Sequence, residues 1–459
     1  MSTLSHAFEQ HWNAQWRAAG CPARLALGYS GGLDSCVLLA LLSRWAESQA
    51  EIRLFAFHIH HGLSPHADAW LAHCEQSAQA LGIGFATRRV CLSAPALQAQ
   101  GVEQAARQAR YAALAQLCQE HEVAHLLLAH HQDDQAETFV LQALRGAGLA
   151  GLAGMAAQQR DSADGLSRLR PLLPFSRSQL QAWAKAQGLR HIEDESNQDP
   201  AYARNALRLH FLPQLAQEFP AASACFARSA ANLQQSLELL QEYTARDWAQ
   251  LSASAPAHTR RLALADLFAM SPARRENLLR YWLGAHGQRM PSSAQSREIW
   301  RQSASQDPDA AVCITLESAQ LRRYREHLYL TARLDLRAAA PPRLDFRWQG
   351  ELRLDFPAWH GSLHFAPTHE AGFAQEWLRS QTLSLQTRMA QTGYQLKLWG
   401  RPRRSLRQHW QSAAVPPWER PWLPLLQSEA GLLYVGGIGM EAAHMGQGGA
   451  RWLLRWQAD

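Results

Sequence analysis

Residues 24–39 read RLALGYSGGLDSCVLL, and this stretch decides the fold of the first part of the chain. An apolar strand is predicted at 24–29, and it breaks into the loop SGGLDS at 30–35, from which a helix begins. The two adjacent glycines let the backbone turn sharply and approach an anion closely, because no Cβ stands in the way. The helix start adds free N–H groups and the positive end of a dipole. The stretch therefore predicts a pyrophosphate-binding loop, and without a Gly-Lys-Ser/Thr ending it is not of the Walker type.

Strand-like and helix-like segments alternate over the first 215 or so residues. Further strands are predicted at 52–59, 84–90 and 125–129, and amphipathic helices at 34–49, 67–81, 103–120 and 133–145. This alternation is typical of an α/β domain with a doubly wound parallel sheet. In such a sheet ligands bind at the carboxyl ends of the strands. The polar motifs of this part of the chain follow predicted strands, so we expect them to meet at that edge.

The character of the chain changes after Pro220. Residues 221–251 and 272–302 have helical sequence, and 312–330 predicts two short strands around a turn. These segments indicate a small, mostly helical middle domain.

A linker is predicted at 337–343, because paired prolines resist both helix and sheet. Beyond it, alternating segments such as 352–356 and 383–388 indicate a small α+β domain. We therefore predict three domains, at 1–217, 218–336 and 344–459.

Composition narrows the class of protein. Of the 459 residues 47% are hydrophobic and 18% charged, a globular balance that excludes a disordered chain. No apolar run reaches the roughly 20 residues that span a bilayer. Residues 1–10 have no positively charged start followed by an apolar core, so we expect no secretion signal. The seven cysteines are odd in number and form no C-x-x-C pair, which favours reduced thiols and a cytoplasmic protein. The net charge of +6 fits either an RNA partner or a simple solubility charge.

Two histidine-containing motifs follow the second and fourth predicted strands. In HIHHGLS (58–64) the i, i+2, i+3 spacing favours pocket-lining histidines over metal ligands. In AHHQDDQAET (129–138) a helix opens with Asp133, Asp134 and Glu137 in one turn. One carboxylate is enough to cap a helix, with Asp133 the candidate. The excess of negative charge beside a phosphate loop predicts Mg²⁺ or a cationic substrate.

A third motif, GVEQAARQARY (101–111), places basic side chains on neighbouring turns of the third predicted helix. Glu103 and Arg107 form an i, i+4 pair. By itself this pair is best read as a surface salt bridge.

The ordered set of motifs resembles the bacterial tRNA(Ile)-lysidine synthetases. The resemblance rests on SGGLDS, HIHHGLS, GVEQAARQARY, AHHQDDQAET, LRGAGLAGLAGM (144–155) and IEDESNQDPAYARNALR (192–208). It extends to LKLWGRPRRSLRQHWQSAAVPPWERPWLPLL (396–426) and GLLYVGGIGME (431–441) in the last domain. The loop alone would indicate only the N-type ATP pyrophosphatase superfamily, with its adenine nucleotide alpha hydrolase-like, or PP-loop, domain. The ordered set is far more specific.

The resemblance implies an ATP-dependent ligase. In that family ATP adenylates the C2 oxygen of the wobble cytidine in the isoleucine tRNA with a CAU anticodon, and pyrophosphate is released. The ε-amine of free lysine then displaces AMP to form lysidine, which pairs with A instead of G and changes the tRNA from methionine to isoleucine identity. The implied cofactor is ATP with Mg²⁺, and the family suggests a homodimer.

The resemblance also assigns roles to individual residues. ATP binding is expected at Ser30, Gly31, Gly32, Leu33, Asp34, Ser35 and His58. Catalytic roles are expected for Asp34, Asp133, Arg107 and Arg110, with Asp34 and Asp133 also holding Mg²⁺. Asp134 and Glu137 are expected to bind the lysine amine, although the division of carboxylates between metal and lysine stays open. The tRNA is expected at Arg204, Asn205, Arg208, Arg401, Arg403, Arg404 and Arg407. Helix packing and a solvated face are the alternatives for these seven.

Two other interpretations remain. A thiolating enzyme of the same superfamily would use the same loop, but such enzymes commonly carry C-x-x-C pairs and the chain has none. An amide-forming synthetase would usually need a glutaminase, and the chain has neither a nucleophile elbow nor an N-terminal catalytic cysteine. A tRNA-binding protein on a degenerate nucleotide fold would not need paired carboxylates beside a phosphate loop.

Overall fold

The chain folds into two compact units, Met1–Arg246 and Asp247–Asp459. The computed structural model describes residues 3–49, 51–62, 64–90, 102–160, 164–195, 199–252, 260–304, 312–332, 343–387, 394–446 and 449–458. The predicted linker lies almost entirely outside these residues. Among the residues described, no helix combines the length and apolarity that crossing a bilayer requires.

The first unit is an α/β structure around one sheet. Its strands are β1 (Arg24–Gly28), β2 (Arg53–His60), β3 (Gly84–Arg89), β4 (His125–Leu127), β5 (Gln158–Arg160) and β6 (Ser167–Leu169). Its helices are α1 (Thr3–Ala18), α2 (Leu33–Ala46), α3 (Ala67–Ala80), α4 (Val102–Glu120), α5 (Gln132–Leu144), α6 (Leu149–Leu152), α7 (Arg177–Ala186), α8 (Ala203–Ala206), α9 (Leu212–Glu218) and most of α10 (Ala222–Ser252), which continues past Arg246. A π-helix, Leu207–Phe211, joins α8 to α9.

The strand order places a ligand crevice at the centre of this sheet. The order is β3-β2-β1-β4-β6-β5, and all neighbours are parallel except β5 and β6. From β1 the chain proceeds to β2 and β3 on one side and returns to β4 on the other. The direction of winding reverses between β1 and β4, and such a switch point leaves a crevice outside the carboxyl ends of the two strands. The loop after β1 and the histidines after β4 both lie there, as the sequence predicts.

The apolar pattern of β1 explains why it is the central strand. Leu25 and Leu27 are buried on one face, in a cluster with side chains of α1, α2 and α7. Ala26 is buried on the other face, in a cluster with Leu114 and Leu117 of α4. A strand that is covered by helices on both faces has a nearly continuous apolar sequence, as residues 25–27 do. This burial holds the start of the glycine loop in a fixed position.

The predicted elements of the first unit are confirmed to within a few residues at their ends. The sequence did not point to α1, to β5 and β6, or to α7. A signal for α1 was present, because Leu4, Phe8 and Trp12 recur at i, i+4 spacing and are all buried. The short strands β5 and β6 form a hairpin with no comparable pattern.

The second unit begins with helices around a small sheet. Its first elements are β7 (Arg261–Ala263), α11 (Leu264–Ala269), α12 (Pro272–Ala285), α13 (Ser293–Ser303), β8 (Cys313–Thr315), β9 (Ala319–Tyr324) and β10 (His327–Ala332). The strands form a sheet in the order β7-β10-β9-β8. Three of them lie where two were predicted at 312–330, and β7 was not predicted. The helical run predicted at 272–302 is divided into α12 and α13, because Gly287 ends the first with a φ of +68°.

The rest of the second unit is an α+β structure, as predicted. Its strands are β11 (Leu344–Phe346), β12 (Arg353–Phe356), β13 (Gly361–Thr368), β14 (Gly372–Ala374), β15 (Leu383–Gln386), β16 (Gln395–Leu396), β17 (Arg404–Ser405), β18 (Leu425–Ser428), β19 (Gly431–Val435), β20 (Gly439–Met440), β21 (Met445–Gly446) and β22 (Arg451–Ala458). They form sheets in the orders β11-β15-β18-β19-β20 and β12-β13-β22-β14-β21, with β16 paired to β17. Its helices are α14 (Gln375–Ser380) and α15 (Leu406–Ser412).

The contribution of α1 to the core can be tested with two matched Phe→Ala substitutions. Phe8 on α1 is 1% exposed, whereas Phe219 is 64% exposed. We expect Phe8→Ala to lower the free energy of unfolding by about 3–5 kcal/mol, because it leaves a cavity. Phe219→Ala should change it by less than about 0.5 kcal/mol. Urea denaturation of the full chain measures both, and equal losses would contradict the assignment of α1 to the core.

Candidate active site

Gly31 fixes the shape of the loop after β1. Its φ is +82°, and a Cβ built there would lie 2.4 Å from Ile192 Cδ1 and 2.7 Å from Cys74 Sγ. The Ile192 N–H donates to the Gly31 carbonyl at 2.9 Å. The Cys36 thiol donates to the same carbonyl at 3.1 Å. Only glycine meets both constraints at this position, the positive φ and the close packing.

The two loop serines and the helix start face the same region. Ser30 Oγ lies 3.1 Å from Ser35 Oγ and accepts from the Gly32 N–H at 3.3 Å. Ser35 Oγ donates to the Gly32 carbonyl at 3.0 Å. Gly32 is the N-cap of α2, and no side chain caps the helix there. The first turn of α2, which includes Leu33, therefore keeps N–H groups for an anion.

His58 supports the loop from the neighbouring strand. Its ring Nδ1 lies 3.0 Å from the Tyr29 carbonyl oxygen, just before the loop. The side chain is buried, and burial lowers the pKa of the imidazole. In the structure this ring holds the backbone before Ser30, so His58 supports the loop where the sequence predicts ATP to bind.

His131 joins the glycine loop to the acidic helix α5. Its side chain is 1% exposed, and its Nε2 lies 3.5 Å from both Asp34 Oδ2 and Asp134 Oδ2. Its Nδ1 lies 3.8 Å from Asp133 Oδ2. Burial favours the neutral ring, but the three carboxylates outweigh burial and raise the pKa of His131. His131, rather than Asp133, is the N-cap of α5, and its backbone N–H donates to Asp134.

Asp34 and Asp133 are the carboxylates with oxygen atoms to offer a cation. Asp34 Oδ1 is buried and has no hydrogen-bond partner. In Asp133 it is Oδ2 that accepts from the Arg177 backbone N–H, at 2.7 Å, which leaves Oδ1 for a cation. Within the described residues no group of three or more His, Cys, Asp or Glu side chains is arranged to hold a metal ion. Mg²⁺ commonly takes one or two carboxylates and completes its shell with water and phosphate oxygens. The donor set therefore fits Mg²⁺ bound together with a polyphosphate.

Glu137 lies one turn further along α5 and is paired with two arginines. Its side chain is 1% exposed, and its oxygens accept from Arg208 Nε at 2.7 Å and Arg208 Nη2 at 3.0 Å. Arg208 Nη2 also lies 3.3 Å from Asp134 Oδ1. Arg204 Nε lies 3.5 Å from Glu137, and its Nη2 donates to Thr138 Oγ1 at 2.8 Å. The structure thus brings the YARNALR segment onto the acidic helix.

A cluster of positive charge lies on α4 beside this region. The guanidinium groups of Arg107, Arg110 and Arg168 lie 5.1, 5.8 and 5.5 Å from the centre of the Tyr111 ring. Arg107 and Arg110 form no ion pair with any carboxylate whose side chain is described. Burial lowers the pKa of Arg110, and Arg107 and Arg204 lower it further by repulsion. The predicted Glu103–Arg107 pair lies outside the described side chains. Arg110 is half-buried and Arg107 is exposed. Guanidinium groups that have no carboxylate partner among the described side chains favour an anionic ligand.

His130 is a neutral neighbour of this cluster. Burial lowers its pKa, and repulsion from Arg170, Arg107 and Arg110 acts in the same direction against the pull of Asp134. Its Nδ1 is buried without a hydrogen-bond partner. A neutral imidazole here can accept or donate a hydrogen bond to a bound group.

The remaining predicted residues separate into two sets. The Asn205 side chain is buried and its Nδ2 donates to the Asp199 carbonyl at 2.9 Å, which holds the segment before α8. The four arginines at 401, 403, 404 and 407 are exposed and belong to the second unit. Arg403 is paired with the buried Glu441 at 3.2 Å. Trp399 is 47% exposed beside them, whereas Trp410 packs against the cluster around Leu406.

Sequence reasoning missed two residues that organise the site. His131 was noted only as a histidine at a strand end, although its place directly before the acidic turn was a signal for a cap. Ile192 closes the glycine loop through its backbone N–H and its side chain. No sequence pattern pointed to that contact, because it joins segments about 160 residues apart.

These features define a class. A parallel sheet with an uncapped glycine loop after β1 and carboxylates after β4 is the arrangement of the PP-loop enzymes, which use ATP. A PP-loop domain model matches residues 4–215. A TilS substrate binding domain model matches residues 262–329, and a TilS substrate C-terminal domain model matches residues 383–456.

Full-length relatives define the family. The chain is 40% identical over 457 residues to tRNA(Ile)-lysidine synthase from Ralstonia nicotianae, covering 96% of this chain and 93% of the relative. It is 39% identical over 467 residues to the enzyme of that name from Burkholderia mallei, covering 95% and 93%. The Salmonella paratyphi B enzyme is 38% identical over 420 residues, covering 90% and 92%. The chain belongs to the tRNA(Ile)-lysidine synthase family, and this membership makes it an ATP-dependent ligase.

Solved structures resemble parts of the chain. The U34-tRNA thiolase NcsA from Methanococcus maripaludis matches with a TM-score of 0.40 and 16% identity, covering 46% of this chain and 73% of the thiolase. A crystal structure of a TilS C-terminal domain matches with a TM-score of 0.21 and 22% identity, covering 26% of this chain and 98% of that domain.

The geometry of Gly31 gives a test of the loop. We expect Gly31→Ala to weaken ATP binding by at least about tenfold, because the new methyl group adds a clash to an unfavourable φ. Gly82→Ala is the matched control, since Gly82 also has a positive φ, +65°, but a Cβ added there would have no heavy atom within 4 Å. Equilibrium binding of labelled ATP measures both, and equal affinity in the two variants would contradict the role of the loop.

Proposed function

We propose that this protein attaches lysine to C2 of the wobble cytidine in the CAU-anticodon isoleucine tRNA. ATP first transfers its adenylyl group to the C2 oxygen, and pyrophosphate leaves. The ε-amine of lysine then attacks C2, and AMP leaves with that oxygen. The product reads AUA instead of AUG and carries isoleucine instead of methionine.

One observation carries this proposal, the contact of His131 Nε2 with both Asp34 and Asp134. This contact brings the phosphate loop and the acidic helix to one edge of the sheet. A phosphate loop alone would serve any ATP pyrophosphatase. A carboxylate pair beside it supplies a site for a cationic nucleophile, and an ammonium group is the nucleophile precursor that carboxylates attract.

The adenylation step needs negative charge to be neutralised on the attacked α-phosphate and on the leaving pyrophosphate. The backbone of Gly31 and Gly32, the N–H groups at the start of α2 and the hydroxyls of Ser30 and Ser35 would hold the phosphates. Arg107 and Arg110 lack carboxylate partners among the described side chains and would contact the nucleotide or the activated cytidine. His58 would keep the loop in place through Tyr29.

Asp34 and Asp133 would hold Mg²⁺, which when bound supplies positive charge to the phosphates. Asp134 and Glu137 would bind the lysine ammonium and orient it toward C2. Amine attack requires the ammonium to lose a proton, and a neighbouring carboxylate can accept it. Since His131 contacts Asp34, Asp133 and Asp134, it would hold the metal-binding and amine-binding carboxylates at a fixed distance from one another.

The tRNA would contact both units. Arg204 and Arg208 lie at the acidic helix, with Asn205 holding their segment in place. Arg401, Arg404 and Arg407 are exposed, form no ion pair within the described residues, and follow the exposed Trp399 closely in sequence. Guanidinium groups with an aromatic ring suit RNA phosphates and unstacked bases. The homodimer, the cytoplasmic location and the domain boundaries 1–217, 218–336 and 344–459 stay predictions from the sequence.

The reaction is tested by incorporation of labelled lysine into unmodified tRNA bearing a CAU anticodon. We expect ATP-dependent incorporation by the wild type. Asp34→Asn should lose at least about a hundredfold in rate, because the variant removes a charge needed at the transition state. Glu47→Gln is the control, since Glu47 is exposed at the opposite end of the same helix. Absence of incorporation by the wild type would refute the proposal, and equal rates in both variants would refute the role of Asp34.

The exposed arginines are tested by tRNA binding at several salt concentrations. Removing Arg401, Arg404 and Arg407 together by alanine substitution should weaken binding about tenfold and lower the salt slope by about 0.7–0.9 for each lost phosphate contact. Arg353→Ala is the control, because Arg353 is also exposed in the second unit but is paired with Asp355. Filter binding gives both quantities. An unchanged slope in the triple variant would show that these arginines form only a solvated face.

A further inference from the structure

Arg208 occupies the carboxylates assigned to lysine. Its guanidinium takes both oxygens of Glu137, at 2.7 and 3.0 Å, and lies 3.3 Å from Asp134 Oδ1. With Arg204 beside it, the Glu137 side chain is only 1% exposed. An ammonium group therefore cannot reach Glu137 while Arg208 stays in this position.

The pairing is strong in this setting. A planar guanidinium matches a carboxylate with two parallel hydrogen bonds, and such bidentate pairs are among the strongest side-chain contacts. Burial raises the pKa of Glu137, and the Arg208 guanidinium opposes that shift. The contact with Glu137 in turn raises the pKa of Arg208, although burial acts against it. A buried carboxylate needs a cation, so removal of Arg208 without a replacement would be costly.

The segment that carries Arg208 has an unusual backbone. Arg208 lies in the π-helix Leu207–Phe211, between α8 and α9. Such turns are rare within helices and occur frequently at functional sites. A change of this turn to α geometry would alter the direction of its side chains relative to α5 without unfolding the helix. The Arg208 side chain is also 25% exposed, so a phosphate group can approach it from solvent.

We propose that Arg208 is an internal counter-ion that covers the lysine-ammonium site until tRNA binds. A tRNA phosphate would take the guanidinium, and the lysine ammonium would replace it on Asp134 and Glu137. The inference rests on the proposed function, since it assumes that these carboxylates receive lysine. The inference adds an order of binding, in which tRNA binds before lysine. Arg208 would then control access of lysine to Asp134 and Glu137 as well as contact the RNA.

The exchange keeps the charge of the pocket constant. One guanidinium leaves and one ammonium enters, so the carboxylates are paired with a cation both before and after the exchange. The covered form also lowers the apparent affinity of free lysine by the fraction of open sites. If one site in about a hundred is open, the apparent Kd rises about a hundredfold. Binding of tRNA removes that penalty.

The experiment measures binding of labelled lysine to the full chain by equilibrium dialysis without ATP, with and without unmodified CAU-anticodon tRNA. For the wild type we expect at least about tenfold tighter lysine binding when tRNA is present. Arg208→Gln should bind lysine at least about tenfold tighter than the wild type without tRNA, and tRNA should add little. Arg145→Gln is the matched control, because Arg145 is exposed at the end of the same acidic helix. It should behave as the wild type.

A second variant keeps the test decisive if Arg208→Gln does not fold, as judged by circular dichroism. Arg208→Lys retains the charge but loses the two-pronged contact, and we expect it to bind lysine a few times tighter than the wild type without tRNA. A purely structural Arg208 predicts the opposite sign, weaker lysine binding in each folded variant. That result, or a wild-type lysine affinity unaffected by tRNA, would overturn the proposal.

Lysine incorporation by the same wild-type preparation separates the two hypotheses. If the wild type incorporates lysine but Arg208 variants bind it no more tightly, the counter-ion role alone fails. If the wild type incorporates none, the proposed function fails, and the counter-ion role that rests on it fails as well.

Discussion

The buried imidazole of His131 is the contact on which the arrangement of the site depends. Its ring lies among carboxylates from two elements that follow different strands, Asp34 on α2 and Asp133 and Asp134 on α5. Without a shared partner these like charges would repel one another at close range. The imidazole offsets that repulsion by attracting all three carboxylates, and it thereby connects the phosphate loop to the acidic helix. The parallel sheet places the two strand ends side by side, and His131 sets the spacing between the loop after one strand and the helix after the other.

Apart from Arg204 and Arg208, which pair with Glu137, the charges of the site lie in two regions of opposite sign. Asp133, Asp134 and Glu137 lie on the helix after β4, whereas Arg107 and Arg110 stack on Tyr111 of α4 with no described carboxylate as partner. A two-step ligation benefits from this separation, because one step transfers an anionic adenylyl group and the other delivers a cationic amine. A mixed pocket in which every arginine already had a carboxylate would bind both groups weakly. Neutral His130 interacts electrostatically with both regions, through Asp134 on one hand and Arg107 and Arg110 on the other.

Much of the fold and of the candidate site could be predicted, and the misses share a physical cause. The strands around β1, the glycine loop and the acidic turn were predictable because each is coded by neighbouring residues: an apolar run, two glycines, three carboxylates in one turn. The closure of Gly31 by Ile192 and the pairing of Arg208 with Glu137 were not predictable, since each joins residues that are far apart in sequence. Local sequence patterns predict the glycine loop and the acidic turn, but contacts between residues far apart in sequence decide which of the charged groups are paired.

The packing beneath Gly31 has a consequence for the chemistry of sulfur. The loop rests on Cys36 and Cys74, and both are buried. Burial raises the pKa of Cys36 to about 11 and that of Cys74 to about 12. Thiols held in the protonated form react slowly with oxidants and alkylating agents. The two thiols that pack against the phosphate loop are therefore expected to react slowly with oxidants in the surrounding solution. Cys21 and Cys313 are exposed at the surface and are open to modification.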